Sequence, residues 1–202
     1  MKKVIRVIKK IFRGENPLIV RYETEKWEDQ FRRGYWDFLL DTPYNVAVTA
    51  MMVNQYARKA GKSISVLDVG CGNGALVREL NRTEIAYTGT DISTEALKEA
   101  KKLAPEGTYV EASMNGAPPL EGQFDVIVFS EVLLYGDYKN VLKIHTPFLK
   151  PDGLLIVSLY DTWRTKIMWR FVKKQLSILE SVYVINQQKK IGWTIVAGKY
   201  KA

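Results

Sequence analysis

The sequence predicts a three-layer α/β sandwich built on a seven-stranded, mostly parallel sheet, and three observations carry that prediction. From residue 61 onward, apolar runs of five to eight residues alternate with stretches of helical period, the pattern of a sheet covered on both faces. The first apolar run ends in a glycine-rich turn that leads into a helix, as at the edge of a doubly wound sheet. The last two strand-like runs have no helix between them, so they are expected to pair antiparallel at one edge. The 202 residues, 47% hydrophobic and 26% charged, exclude a disordered chain and suffice for a full core.

Taken in order, residues 2–13 read as a basic amphipathic helix broken at Gly14–Pro17. Tyr22–Arg33 and Thr42–Ala60 read as helices, the second capped by Asp41 or Thr42, with Pro43 in its first turn and Gly61 at its end. Seven strands follow: Ser63–Val69, Glu84–Thr90, Thr108–Glu111, Phe124–Ser130, Gly153–Tyr160, Ser181–Ile185 and Trp193–Ala197. Helices are expected at Ala75–Leu80, at Thr94–Leu103 with Ser93 as cap, at Lys139–Leu149 and at Arg164–Leu179. Pro151-Asp152-Gly153 reads as the turn that stops the fifth strand upstream. Residues 1–60 form an N-terminal helical segment and residues 61–202 the core, which contains no repeat and no linker.

The charge is uneven. Six basic residues and no acid lie in residues 1–13, so they hold six of the eight net positive charges. The body is therefore close to neutral, which does not indicate a general nucleic-acid surface. On a helical wheel Val4, Ile5, Val7, Ile8, Ile11 and Phe12 fall opposite those basic residues. Such a segment either docks its apolar face on the domain or lies on a membrane surface, with a nucleic-acid arm as a third reading. Arg164–Leu179 carries a second basic face, read first as the solvated side of a helix covering the sheet. No apolar run is long enough to span a membrane and none reads as a signal peptide. A cytoplasmic protein is expected, with peripheral contact at the inner membrane surface left open through residues 1–13. One cysteine excludes an internal disulfide, and Cys71 with the single His145 cannot build a protein zinc site, so no metal is expected.

The informative stretch is Val66-Leu67-Asp68-Val69-Gly70-Cys71-Gly72-Asn73-Gly74. Glycines let the backbone turn tightly and let a ligand lie against bare main chain. The helix that follows offers unpaired N–H groups to an anionic group such as a carboxylate. The spacing is G-x-G-x-G rather than G-x-G-x-x-G, and Asp68 stands two residues before the first glycine. A carboxylate there repels a pyrophosphate and welcomes an ammonium or sulfonium, which turns the reading from a nicotinamide cofactor to a cationic, amino-acid-like ligand. Asp91 ends the second strand in Tyr87-Thr88-Gly89-Thr90-Asp91-Ile92-Ser93. It can accept hydrogen bonds from two ribose hydroxyls, or cap the next helix.

The pairing of VLDVGCGNG with YTGTDIS resembles the class I methyltransferases that use S-adenosylmethionine. FDVIVFSEV, residues 124–132, and LKPDGLLIVS, residues 149–158, are similar to that family's fourth strand and its turn into the fifth. The resemblance covers about half the chain and implies a Rossmann-like fold with S-adenosylmethionine as cofactor and S-adenosylhomocysteine as product. It implies that Asp68, Gly70, Cys71, Gly72 and Gly74 form the loop holding the methionine part. Asp91 takes the ribose and Ile92 packs on the adenine. Ser113 and Met114 meet the adenine edge, and Ser130 lies under the sulfonium. Two positions depart from the family: Ser113 stands where an Asp is frequent, and Leu134-Tyr135 where a His is common. Residues 18–60 are expected to form a lid over cofactor and acceptor.

The acceptor is read by elimination. Ser130-Glu131-Val132-Leu133 is not the Asn/Asp-Pro-Pro-aromatic run of exocyclic base methylation, and Cys71, inside the glycine turn, excludes a cysteine nucleophile. A hydroxyl or amine of a saccharide or other small metabolite remains, with an RNA or protein methyltransferase docking through residues 1–13 as the alternative. Trp27, Phe31, Tyr35, Trp36, Phe38 and Tyr44, interleaved with Glu28, Asp29, Asp37 and Asp41, either receive sugar faces and hydroxyls or are the packed face of a helix. Tyr35, Trp36 and Tyr135 are the candidate acceptor contacts. Trp27–Leu39 and Glu131–Tyr135 are similar to small methyltransferases of polysaccharide and nodulation-factor pathways. Holding the acceptor in line supplies much of the acceleration. Tyr135 and Asp161, after the fourth and fifth strands, are the candidate bases, whereas a lone helical His145 is read as structural.

Overall fold

The computed structural model describes residues 17–41 and 44–201, with side chains from residue 23 onward. The expected helix at 2–13, and the cap at Thr42 with Pro43 in the first turn, lie outside the described residues.

Seven strands form one sheet in the order β3-β2-β1-β4-β5-β7-β6. They are β1 (Ile64–Val69), β2 (Ile85–Asp91), β3 (Thr108–Glu111), β4 (Phe124–Ser130), β5 (Leu149–Tyr160), β6 (Leu176–Asn186) and β7 (Ile191–Tyr200). The first five are mutually parallel, and β7 runs antiparallel between β5 and β6. The helices are α1 (Pro17–Arg32), α2 (Tyr44–Ala60), α3 (Ala75–Arg78), α4 (Thr94–Leu103), α5 (Tyr138–His145) and α6 (Trp163–Gln175), with 3₁₀ turns at Asp37–Leu40, Val132–Tyr135 and Thr146–Phe148.

Alternation along each strand divides the core into two layers. Ile64, Val66, Val126, Val128, Leu154, Ile156 and Ile195 pack with α2, α3 and α4. Leu67, Val69, Ile127, Phe129, Leu155, Val157 and Val196 pack with α5 and α6. Each such side chain, removed fully from water, contributes about 1.5–3 kcal/mol, so the three central strands are the anchor of the fold.

Several expected boundaries shift: α1 begins at Pro17 rather than Tyr22, α3 stops at Arg78 rather than Leu80, and both strands of the final hairpin are longer than expected. Three further shifts have a clear cause, two in strand pairing and one in a proline. The fifth strand starts at Leu149 and passes through Pro151-Asp152-Gly153, since Leu149 pairs with Phe124 and Leu154 with Val126. The expected turn is a bulge inside the ladder, fastened where Lys150 Nζ donates to Asp125 Oδ2 at 2.9 Å. The C-terminal helix stops at Gln175 rather than Leu179, because Leu176–Ile178 pair with β7. The helix expected at Lys139–Leu149 ends at His145 and gives way to a 3₁₀ turn containing Pro147, a residue that cannot donate to a helix.

Candidate active site

The chain leaves β1 for β2 on one side and returns to β4 on the other, so the β1/β4 boundary is the switch point of the sheet. Ligands bind at the carboxyl edge of such a point. Here that edge opens into a cavity of about 510 Å³.

Its floor is the glycine turn. Gly70 and Gly72 have φ of 71° and 54°, a region that L side chains avoid. A Cβ on Gly70 would stand 2.3 Å from Val132 Cγ2, so the turn after β4 can lie against bare backbone. The turn is pinned to β2 by Gly70 N–H and Cys71 N–H, both donating to the Thr90 carbonyl, at 2.7 and 2.9 Å. Asp91 Oδ2 accepts from Gly72 N–H and Oδ1 from Ser93 N–H, each at 2.9 Å. Burial nevertheless lifts the Asp91 carboxyl above the ordinary range, against those hydrogen bonds.

Asp68 is buried behind this turn. Its Oδ2 accepts from the Tyr87 hydroxyl at 2.8 Å, while Oδ1 has no protein partner. Burial pushes its pKa up to about 7, with the Tyr87 hydrogen bond opposing and the Asp91 charge adding to the rise.

Of the residues singled out in the sequence, Gly70, Gly72, Asp91, Ile92, Ser113, Met114, Ser130, Trp36 and Tyr135 line this one cavity. Asp68, Cys71, Gly74, Tyr35 and Asp161 are not in its lining. Cys71 is buried beside Gly89, where a Cβ would meet its sulfur at 2.7 Å. Gly74 is the close approach of α3 to α4, since a Cβ there would stand 2.9 Å from Ala100 Cα. Asp161 accepts from the Tyr183 hydroxyl at 3.4 Å, and Tyr35 is exposed. His145 is buried, with Nδ1 donating to the Val141 carbonyl at 2.8 Å and the ring edge-on to Phe129. Burial holds its pKa below the ordinary value, as befits a structural histidine.

Two carboxylates, one named in the sequence only as a possible sugar-facing acid (Glu28) and one only as part of a motif (Glu131), organise the site in other roles. Glu131 sits at the tip of β4 with φ of 61° and lines the cavity. Its Oε1 accepts from the Ser158 hydroxyl and Oε2 from Tyr160 N–H, both at 2.8 Å. Burial outweighs these bonds and raises its pKa to about 7. Glu28 on α1 accepts hydrogen bonds from the start of α4. Burial raises its carboxyl, but the bonds from Thr94, Glu95 and Ser93 prevail and hold it below the ordinary range. An acid directly after an apolar strand was the available signal for Glu131. Nothing local marks Glu28, whose partners are some 65 residues away.

Aromatic side chains wall the opposite half. Trp27 packs against Trp36 with ring centroids 5.5 Å apart and meets Tyr135 edge-on at 5.0 Å. Phe31, Phe38, Tyr160 and Trp193 complete the wall. Of the four acids interleaved with the N-terminal aromatics, none lines the cavity: Glu28 caps α4, Asp29 pairs with Arg33 at 3.0 Å, and Asp37 and Asp41 are exposed. Glu23 lines it instead, with its carboxyl raised by burial against the pull of Lys26. The lining therefore holds three carboxyls, Glu23, Asp91 and Glu131, and no lysine or arginine. Such a cavity suits cationic or neutral ligands and disfavours phosphates. Among the described residues, no group of three His, Cys, Asp or Glu side chains is placed to hold a metal ion.

The chain is similar to methyltransferases in sequence and in fold. Residues 66–153 match the family model described as a methyltransferase domain. The ubiquinone biosynthesis O-methyltransferase of Escherichia coli is 30% identical over 152 residues, covering 71% of this chain and 63% of that protein. The chain spans 44% of another curated relative, the enzyme of the same name from Actinobacillus pleuropneumoniae. Among solved structures, the N-methyltransferase NodS from Bradyrhizobium japonicum, in complex with S-adenosylhomocysteine, superposes with a TM-score of 0.70 at 16% identity. That match covers 87% of this chain and 99% of NodS. Magnesium protoporphyrin IX methyltransferase from Synechocystis, with bound S-adenosylmethionine, gives 0.65 at 20% identity, covering 94% and 99%.

Proposed function

Because the chain belongs to the class I S-adenosylmethionine-dependent methyltransferase family, we propose that it transfers a methyl group to a hydroxyl or amine of a small, ring-bearing metabolite, a saccharide unit being the finer reading. The observation that carries this is one cavity, without a cation in its lining, in which a glycine turn and Asp91 meet an aromatic wall.

The residues present fit the cofactor. Gly70 and Gly72 offer bare backbone to its amino-acid part, and the unpartnered Asp68 Oδ1 keeps a buried acceptor beneath the turn. Asp91 would take the ribose hydroxyls, with Ile92, Ser113 and Met114 around the base and Ser130 near the sulfur. When bound, S-adenosylmethionine supplies an activated methyl group on a positively charged sulfur. The protein's own contribution is position and proton control. Trp27, Trp36 and Tyr135 hold a ring face and exclude water. Glu131 is better suited than Tyr135 or Asp161 to receive the acceptor's proton. Glu131 is a lining residue whose carboxyl titrates near neutrality, whereas burial, and next the Glu131 charge, raise the Tyr135 phenol. Ser158 and Tyr160 fix the Glu131 carboxylate and leave each oxygen a free lone pair. The aromatic wall matches the apolar face of a sugar or another ring.

Calorimetric titration with S-adenosylmethionine is the test. Wild type is expected to bind, and Asp91→Ala to bind about a hundredfold more weakly, as expected for two lost hydrogen bonds to a charged group. Equal affinity in the two proteins would refute the assignment. Product formation across sugars and simple phenols then separates the acceptor classes.

A further inference from the structure

The segment that roofs the cavity is tied down by more than the partial packing of Leu39, Leu40 and its aromatic rings. No side chain from residue 23 to 41 is fully buried, yet α1 delivers Trp27 and Phe31 to the cavity lining. Phe31 stands 3.5 Å from where a Cβ on Gly72 would be. Between those two aromatics on α1 lies Glu28, whose carboxylate is fully engaged. Oε1 accepts from Thr94 N–H at 2.8 Å and the Thr94 hydroxyl at 2.7 Å. Oε2 accepts from the Ser93 hydroxyl and Glu95 N–H, both at 3.0 Å. Thr94 and Glu95 open α4, so their N–H groups are donors without an intrahelical acceptor, at the positive end of the helix dipole. A carboxylate from another element takes the place of solvent there, and these are charge-assisted bonds. Ser93 also donates its N–H to Asp91 Oδ1 at 2.9 Å. One short run, residues 91–95, thus grips the proposed ribose acid on one side and the lid on the other.

We propose that Glu28 is a latch: a positioning residue that fixes α1 across the cavity by gripping the start of α4, so that an occupant of the cleft between Gly72 and Asp91 is retained by the closed lid. The identity of that occupant rests on the proposed function, whereas the latch itself does not. An occupant that orders residues 91–93 also orders the donors to Glu28, and a docked Glu28 in turn slows escape, since such coupling is reciprocal.

Glu28→Gln keeps the shape but removes the charge and presents an amide N–H₂ to groups that are themselves donors. In the cofactor-free protein, amide hydrogen exchange over residues 23–41 is expected to accelerate about fivefold or more, while β1 and β4 exchange as before. S-adenosylhomocysteine is expected to bind about tenfold more weakly, the scale of one lost charge-assisted interaction. Asp29→Asn, at the neighbouring exposed pair, is expected to change neither. Unchanged exchange over residues 23–41 would overturn the latch. So would unaltered S-adenosylhomocysteine affinity accompanied only by a lower Tm, the mark of a simple helix cap. If wild type binds no S-adenosylhomocysteine, the methyltransferase reading fails, and the exchange comparison alone decides the latch.

Discussion

The central strands and the lid are built on opposite principles. In β1 five of six residues are buried, and β4 and β5 on its flank add Ile127, Val128, Leu155 and Ile156 with no exposure. From residue 23 to 41 no side chain is fully buried, and Leu39 and Leu40 lie only partly buried against the core. Position there depends on aromatic contacts and a few directed polar ties: Glu28 to α4, the Asn73 side-chain amide donating to the Trp36 carbonyl at 3.1 Å, and Arg78 donating to the Leu40 carbonyl. The strands hold the cofactor edge through many small additive contacts, whereas the lid can be released by losing one or two strong ones. A rigid floor beneath a releasable roof suits the proposed methyl transfer, in which two ligands would enter and two products leave.

That contrast makes graded predictions. Leu155→Ala, in the floor, is expected to destabilise the protein by about 2–5 kcal/mol, the usual range for truncating a fully buried leucine, read as a lower urea midpoint. Trp27→Ala, in the roof, is expected to cost less, about 1–2 kcal/mol, since the ring is half-buried and packs on three aromatic neighbours. It should raise the acceptor KM far more than it moves the urea midpoint. A Trp27→Ala loss as large as that of Leu155→Ala would mean the lid belongs to the cooperative core.

Glu131 gives a pH signature. Its pKa is raised from 4.5 to about 7 by burial, so between those values the folded protein holds a proton that the unfolded chain has released. Stability from this group is therefore fully present below pH 4.5, falls as pH rises and levels off above about 7. Asp68 adds to the same fall. Glu131→Gln cannot titrate, so its Tm relative to wild type is expected to climb between pH 4.5 and 7.5. Under the proposed function, its methyl-transfer rate should also lack the rise with pH expected of wild type as the carboxyl ionises. A wild-type Tm gap constant with pH would contradict the buried-carboxyl account. The smallest effect is reserved for Asp29→Asn, within about 0.5 kcal/mol of wild type by chemical denaturation, because exposed ion pairs contribute little.

What could be read in advance follows from the range of the interactions. Ser93 as cap of Thr94–Leu103 and the strand Phe124–Ser130 fall as expected to the residue, because capping and apolar periodicity act over a few positions. The glycine turn and Asp91 could be read for the same reason: a strand, its turn and the next helix are contiguous. The bulge at Lys150–Gly153 could not, since it exists only because Leu149 and Leu154 both find partners on β4. Leu176–Leu179 continue the preceding helix in sequence terms, yet β7 captures them. The roles of Glu28 and Glu131 are not legible in the sequence, because their partners, Thr94 and Ser158, become neighbours only after folding. Asp161 was placed at the site by its position after β5. The sheet edge does carry it, but Tyr183 rather than the cavity receives it.

The central claim is that one cofactor lies between the glycine turn and Asp91. A crystal structure grown with S-adenosylhomocysteine tests it most directly. The account predicts nucleoside density in the 510 Å³ cavity, with both ribose hydroxyls within hydrogen-bond distance of the Asp91 carboxylate and the thioether near Ser130. Density for the ligand elsewhere, with Asp91 still bonded only to Gly72 and Ser93 and the cavity filled by the aromatic side chains of α1, would contradict it.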